Sequence, residues 1–91
     1  MTMSMQQELI EAIGRLRQKS GKPAVPVGPD DSLTNQDILD SMSLLDFVVL
    51  LENRYGIKIP GEDIVPGNLG SVNAVAGYLH RRLGLADSGV A

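Results

Sequence analysis

Few residues in this 91-residue chain could do chemistry, and the most informative are Asp40 and Ser41. They precede a long apolar stretch. Short side-chain oxygens suit the start of a helix because they accept hydrogen bonds from backbone N–H groups that lack an intrahelical partner. A hydroxyl there is exposed in a field that favours anions, and such an end is a ready site for a phosphate. We therefore expect Ser41 to carry a phosphodiester-linked group.

The other reactive residues do not form a catalytic site in the sequence. His80 is the only histidine, and no cysteine, histidine or carboxylate stands at metal-ligand spacing from it. We interpret it as a surface residue. Ser41 lacks the glycine frame of a hydrolase nucleophile and has no evident histidine partner. The aspartates around it do not follow a calcium-loop pattern. The sequence therefore predicts neither an enzyme nor a metal site.

Composition predicts one small domain. The chain is 43% apolar, an ordinary value for a protein with a single core, and it has no cysteine for disulfides or thiolate chemistry. The longest apolar run, residues 47–51, is too short to cross a bilayer, and the first residues lack the layout of a signal peptide. We expect a mature cytoplasmic chain with no membrane insertion.

Charge is unevenly placed along the chain. The net charge is −3, yet residues 30–63 hold eight acids against two bases, a net −6, whereas residues 1–29 carry a net +2. An acidic middle repels nucleic acid and suits basic patches on protein partners. It could also serve only to keep a small domain soluble. We expect a monomer that binds proteins and no nucleic acid.

Helical spacing predicts an all-α fold, a small four-helix bundle with three long helices, one short third helix and a long first loop. The predicted helices cover about 4–19, 41–55, 61–65 and 71–83, with a flexible tail at 84–91. Ser4 and Gln7 fit a capping box, and Gly21 fits a helix stop. Residues 66–70 are predicted to form a turn. Five apolar residues should pack the long loop across the bundle: Val25, Val27, Leu33, Ile38 and Leu39.

The second predicted helix is too apolar for one buried face. The spacing of a core face is met by Leu44, Phe47, Val48, Leu51 and Tyr55. A second stripe contains Met42, Leu45 and Val49, with Asp46 and Glu52 alongside. An apolar strip rimmed by acids predicts a surface for docking partners. The alternative is a helix that is buried on nearly all sides.

Together these residues resemble the acyl carrier protein family over about residues 30–83. The resemblance lies in the Asp40-Ser41-Met42 run, the exit Tyr55-Gly56-Ile57-Lys58-Ile59-Pro60 and the start of the last helix at Ser71. It implies 4′-phosphopantetheine, derived from coenzyme A, attached at Ser41. It also implies that Asp40 helps recognition by a phosphopantetheinyl transferase. The partner-binding positions that it implies are Met42, Leu45, Asp46, Val49, Glu52 and Ile64.

On this resemblance we expect a stand-alone carrier that tethers acyl intermediates as thioesters. Its partners would be an acyl-loading enzyme and downstream synthases of fatty acid, polyketide or specialised lipid biosynthesis. The thiol would come from the attached arm, because the chain has none. A sheltered fatty acyl chain would need internal space among Phe47, Val48, Leu51, Ile59 and Ile64.

Two features differ from many fatty-acid carriers. Ile38 and Leu39 precede the Asp-Ser pair where those carriers have a glycine, and the second helix lacks their dense row of glutamates. The run from Ile38 to Met42 is more similar to D-alanyl carriers and to aminoacyl or peptidyl carriers, which are loaded by an adenylating enzyme. An alternative of another class is a helical adaptor that docks through the second helix, with Ser41 as a plain cap.

Overall fold

Helices form all of the regular structure in the part of the chain that the structure describes. The computed structural model describes residues 4–34 and 38–84, and these ranges contain helices and turns but no strand. The α-helices are α1 (Met5–Lys19), α2 (Ser41–Tyr55), α3 (Pro66–Leu69) and α4 (Val72–Leu83). A single 3-10 turn, Gly61–Asp63, precedes α3. Helix α1 packs against α2 and α4, and α3 packs on α4, so the predicted all-α class is confirmed.

Helix α1 begins and ends where its sequence predicts. The Ser4 hydroxyl accepts a hydrogen bond from the Gln7 N–H at 3.2 Å, and the Gln7 side chain accepts one from the Ser4 N–H at 3.2 Å. This is the predicted capping box. At the other end Gly21 adopts a φ of 77°, which glycine enters without the steric cost that a Cβ would bring. The chain leaves α1 there.

The core lies between α1, α2 and α4. Each contributes buried apolar side chains: Leu9, Ala12, Ile13, Leu16, Phe47, Val48, Leu51, Val72, Val75, Ala76 and Leu79. Removal of this surface from water is the main force that holds the helices together, at roughly 25 cal/mol per Å². The predicted core face of α2 is buried at its centre, while Leu44 and Tyr55 are half-buried at its two ends.

The segment between α1 and α2 packs on the bundle at several points. Three of its predicted core residues are buried: Leu33, Ile38 and Leu39. The Leu33 N–H donates to the Gly70 carbonyl at 2.9 Å, which ties this segment to the end of α3. The prediction that Val25 also packs inward is wrong, since its side chain is 39% exposed. Val27 takes the inward position in this extended stretch.

The short third helix lies later than the sequence predicts. A helix was expected at 61–65 and a turn at 66–70, but the structure has only the 3-10 turn Gly61–Asp63 in the first range and α3 in the second. Pro66 suits the first position of α3 because its ring pre-sets φ and it has no N–H to leave unpaired. The glycines that follow it are typical of turns, and they led to the prediction of a turn where α3 lies.

Helix α4 has the predicted start and end. The Ser71 hydroxyl caps it by accepting from the Ala74 N–H at 3.1 Å, and Gly84 ends it with a φ of 68°. The rest of the tail that was predicted to be flexible lies outside the described residues. None of the described helices is both long and apolar enough to cross a membrane.

Candidate functional site

Ser41 is the first residue of α2, and its side chain is exposed. Asp40 is the N-cap of the helix: its backbone is extended, and one carboxylate oxygen accepts from the Ser43 N–H at 2.8 Å. This bond satisfies one of the unpaired donors of the first turn. It also fixes where α2 begins. The hydroxyl of Ser41 is therefore presented to solvent at a defined helix end.

The same helix end fits a phosphate group. In any α-helix the first backbone N–H groups lack intrahelical acceptors, and here Asp40 satisfies only that of Ser43. The N–H groups of Ser41 and Met42 remain at the positive end of the helix dipole. A phosphodiester on the Ser41 oxygen would meet these donors and would stay in solvent. The donor set and the exposure are both compatible with the predicted group.

Asp40 is held in its charged form. Its second carboxylate oxygen lies 3.0 Å from the ammonium of Lys22, which follows the end of α1. The hydrogen bond from the Ser43 N–H, followed by the Lys22 ammonium, lowers the pKa of Asp40 to about 2 from its usual 3.8. Sequence reasoning did not identify Lys22, because 18 residues separate the pair and no local pattern connects them.

Arg17 is a second residue that sequence reasoning did not assign to the site. It is buried, at 6% exposure. Its guanidinium donates to the carbonyl of Pro23 at 3.0 and 2.9 Å and to the carbonyl of Ile38 at 2.9 Å. Ile38 is two residues before Asp40. Helix α1 therefore holds the chain that leads into the site.

The apolar strip of α2 faces solvent. Met42 is 74% exposed, Leu45 53% and Val49 52%, so the alternative of burial on nearly all sides is wrong. Asp46 is exposed beside them. Val65, just before α3, adds a further exposed apolar side chain that sequence reasoning missed. Partner docking at these residues stays a prediction.

Two of the predicted partner-binding residues have contacts within the fold. A Glu52 carboxylate oxygen accepts from the Ile59 N–H at 2.8 Å, so this half-buried side chain fixes the exit from α2. Ile64 is half-buried and lines a cavity of about 70 Å³. The other residues around the cavity are Thr34, Leu44, Val65, Pro66, Leu69 and Gly70. The cavity lies beside α2 and beneath α3.

His80 lies on α4 and is half-buried. Among the residues that the structure describes, no three of histidine, aspartate and glutamate come together in a way that could hold a metal ion.

Comparison with known proteins relates this site to a family. Residues 8–79 match the family model described as the phosphopantetheine attachment site. The matched range contains most of α1, the site and all of α2, and it extends through most of α4. It therefore includes every residue described above as part of the site.

Individual relatives agree with this match. The chain is 29% identical to an acyl carrier protein of Kineococcus radiotolerans over 90% of this chain and 100% of that protein. It is 31% identical to a meromycolate extension acyl carrier protein of Mycolicibacterium aurum over 84% of this chain and 77% of that protein. A solved chain from Bradyrhizobium japonicum superposes with a TM-score of 0.67 and 26% identity, covering 82% of this chain and 99% of that one.

That solved chain comes from the crystal structure of a glycine:carrier protein ligase complexed with glycylated carrier protein. The family match over most of the length, the relatives and the shared fold agree on one assignment. This chain belongs to the phosphopantetheine-binding acyl carrier protein family, whose members are carriers, not enzymes, and hold 4′-phosphopantetheine covalently.

Proposed function

We propose that Ser41 carries the 4′-phosphopantetheine arm and that Asp40 helps the attaching transferase to recognise this chain. One observation carries the proposal: an exposed hydroxyl stands at the first position of α2, inside the segment that the family model matches. An enzyme can reach a hydroxyl placed there. The helix end favours the negative charge of the phosphodiester that attachment creates.

Attachment transfers the phosphopantetheine group from an oxygen of coenzyme A to the Ser41 oxygen. The Ser41 oxygen forms a bond to the phosphorus that bears pantetheine in coenzyme A, and the hydroxyl proton passes to a base that the transferase would supply. The bond from that phosphorus to the bridging oxygen of the pyrophosphate breaks, and this oxygen leaves with the nucleotide part as an adenosine bisphosphate. When bound, the group supplies the thiol that this cysteine-free chain lacks, so that cargo can be held as a thioester. The chain itself fixes the point of attachment.

Partner enzymes would dock on the exposed strip of α2. This strip begins next to Ser41 and continues for about two helical turns through Met42, Leu45 and Val49. An enzyme bound there would therefore lie close to the arm. Asp46 and the acidic character of residues 30–63 would attract basic patches on these partners. Glu52 contributes less directly, because its carboxylate holds the Ile59 N–H.

The first candidate cargo is an acyl group of fatty acid, polyketide or specialised lipid biosynthesis. The relatives from Kineococcus and Mycolicibacterium, which are named as acyl carriers, support it. The interior where a sheltered fatty chain would need space is filled, since Phe47 and Leu51 are fully buried. The nearby cavity of about 70 Å³ is well below the roughly 300 Å³ of an ordinary ligand site. An acyl group would therefore be presented at the surface.

The second candidate cargo is an amino acid loaded by an adenylating enzyme. The structural match to a chain from the complex with glycylated carrier protein favours it. A small cargo also needs no internal space, which agrees with the filled core. The partners would be an aminoacyl-loading ligase and an enzyme that accepts the aminoacyl group.

Mass spectrometry after incubation with coenzyme A and a broad-range phosphopantetheinyl transferase tests the attachment. We expect one phosphopantetheine mass gain in the native chain and none in Ser41→Ala. Ser43→Ala is the matched control, because this serine lies two residues along α2 but is buried at 4% exposure. It should be modified like the native chain. A gain that persists in Ser41→Ala would exclude Ser41 as the attachment residue.

The same holo-protein separates the two cargoes. It would be offered fatty acids, D-alanine, glycine and other amino acids, with loading enzymes encoded near its own gene. A fatty acyl adduct without aminoacyl adducts supports the first candidate, and the reverse supports the second. An adduct that also forms on Ser41→Ala would mean that the cargo does not use the arm.

A further inference from the structure

The end of α1 places a lysine at the attachment site. After α1 the Gly21 N–H donates to the Gln18 carbonyl at 3.0 Å, and the Lys22 N–H donates to the Arg17 carbonyl at 2.8 Å. These two bonds around a left-handed glycine form a Schellman motif. The backbone of Lys22 is therefore fixed by the helix end. Its side chain starts from a defined point.

From that point Lys22 reaches Asp40. Its ammonium donates to one carboxylate oxygen of Asp40 at 3.0 Å, while the other oxygen accepts from the Ser43 N–H at 2.8 Å. Both oxygens are engaged, so the carboxylate is held in one orientation beside Ser41. The Lys22 side chain is 28% exposed and that of Asp40 46% exposed, which leaves the pair within reach of a substrate. Among the described residues no other cation forms an ion pair with Asp40.

The ion pair between Lys22 and Asp40 changes the charge that a phosphate group meets at Ser41. Ser41 lies in the acidic part of the chain, and Asp40 adds a negative charge on the adjacent residue. The group transferred to Ser41 arrives with phosphate charges and leaves one negative charge on the new diester. If the Asp40 carboxylate had no cation beside it, its charge would repel the incoming phosphate group. A cation that neutralises the carboxylate reduces this repulsion.

We propose that Lys22 is a positioning residue for attachment of the arm: it orients and neutralises Asp40, so that the Ser41 hydroxyl can accept a negatively charged phosphate. This inference rests on the proposed attachment at Ser41. Lys22 acts through Asp40 and does not take part in bond making. A purely structural lysine, which only ties the long segment to α2, would give a different experimental result.

The test is the steady-state rate of attachment by a broad-range transferase, with saturating coenzyme A and varied carrier chain. Lys22→Met removes the charge and keeps most of the side-chain length. We expect kcat/KM for the carrier to fall about fivefold at low salt, the size of an effect from one unscreened charge near the surface. Lys22→Arg should stay within twofold of the native chain, because it keeps the charge.

Lys19→Met is the matched control, since Lys19 is an exposed lysine in the last turn of the same helix and the net charge changes equally. It should have the native kcat/KM. The difference between Lys22→Met and native should shrink at 0.5 M salt, because exposed charges are screened there. Circular dichroism at the assay temperature establishes that each variant is folded.

Three outcomes would overturn the inference. Lys22→Met could react as fast as native or faster, it could match Lys19→Met in its loss, or its loss could be independent of salt. The last result would assign Lys22 a structural role only. The proposed function fails separately, by the absence of any Ser41-dependent mass gain in the native chain.

Discussion

Two regions of the bundle are held by different kinds of contact. At the attachment site, partly exposed polar groups hold the start of α2: Lys22 binds Asp40, and Asp40 caps the helix. Between α3 and α4, buried apolar side chains dominate, among them Leu69 at 2% and Leu79 at 0% exposure. The attachment site is open to enzymes, whereas the apolar side chains between α3 and α4 are closed to solvent.

A polar cluster joins α4 to the segment before α3. The Tyr78 hydroxyl donates to a carboxylate oxygen of Asp63 at 2.6 Å and accepts from the Arg82 guanidinium. Arg82 also donates to the Lys58 carbonyl, which joins the exit of α2 to α4. Burial, followed by the bond to Asp63, raises the pKa of Tyr78, so this hydroxyl stays protonated well above neutral pH. These contacts fix the segment before α3.

This contrast indicates that different residues serve attachment of the arm and stability of the fold. Exposed, screened charges contribute little to the free energy of unfolding, whereas buried apolar groups contribute most of it. Substitutions at the attachment site should therefore change chemistry more than stability. Substitutions of the residues packed between α3 and α4 should do the opposite. Three predictions test this separation, beginning with the largest effect.

Leu79→Ala should lower the free energy of unfolding by about 3 kcal/mol, because it opens a cavity in a fully buried part of α4. Met42→Ala is the matched control on an exposed apolar residue, and it should change stability by less than about 0.5 kcal/mol. Urea unfolding measures both. Met42→Ala should nevertheless slow loading by partner enzymes. Equal destabilisation by the two variants would contradict this difference between the two regions.

Gly70→Ala should cost about 2 kcal/mol, since the added Cβ would overlap the carbonyl oxygen of Pro66 and force the end of α3 to move. The Gly70 carbonyl accepts from the Leu33 N–H, so the long segment would be displaced as well. Gly67→Ala, in the same short helix, meets open space and should not lower stability. Thermal unfolding compares the two. A tolerated Gly70→Ala would mean that α3 is not tightly packed.

The smallest effect concerns Asp40 and pH. Its pKa is lowered to about 2 from 3.8, so the folded state favours the carboxylate and binds fewer protons than the unfolded state. The stability that Asp40 contributes is present above about pH 4 and is lost as the pH falls from about 4 to about 2. Asp40→Asn keeps a good N-cap but cannot titrate.

Thermal unfolding of native and Asp40→Asn chains between pH 6 and pH 2 measures this effect. The native protein should have the higher melting temperature near neutral pH, and the gap should close below pH 4. The gap should also be smaller at high salt, because both side chains of the pair are partly exposed. A gap that does not vary with pH would show that the charge of Asp40 does not stabilise the helix end.

Local patterns predicted a large part of this structure. The capping box at Ser4, the stop at Gly21 and the cap at Ser71 each depend on a few neighbouring residues, and all three are present. The strip of α2 follows from helical spacing and is exposed as expected. The third helix was misplaced because local signals conflict there. Pro66 favours a helix start, whereas the glycines after it favour a turn.

The sequence by itself determined that α2 starts at Ser41 with Asp40 as its cap, because capping and helical periodicity are properties of residues close together in the chain. Only the tertiary structure decided that Lys22 neutralises Asp40 and that Arg17 is buried against the Ile38 carbonyl. These contacts join residues 18 and 21 positions apart. No local pattern encodes them, since they form only when the helices pack and bring the end of α1 to the start of α2.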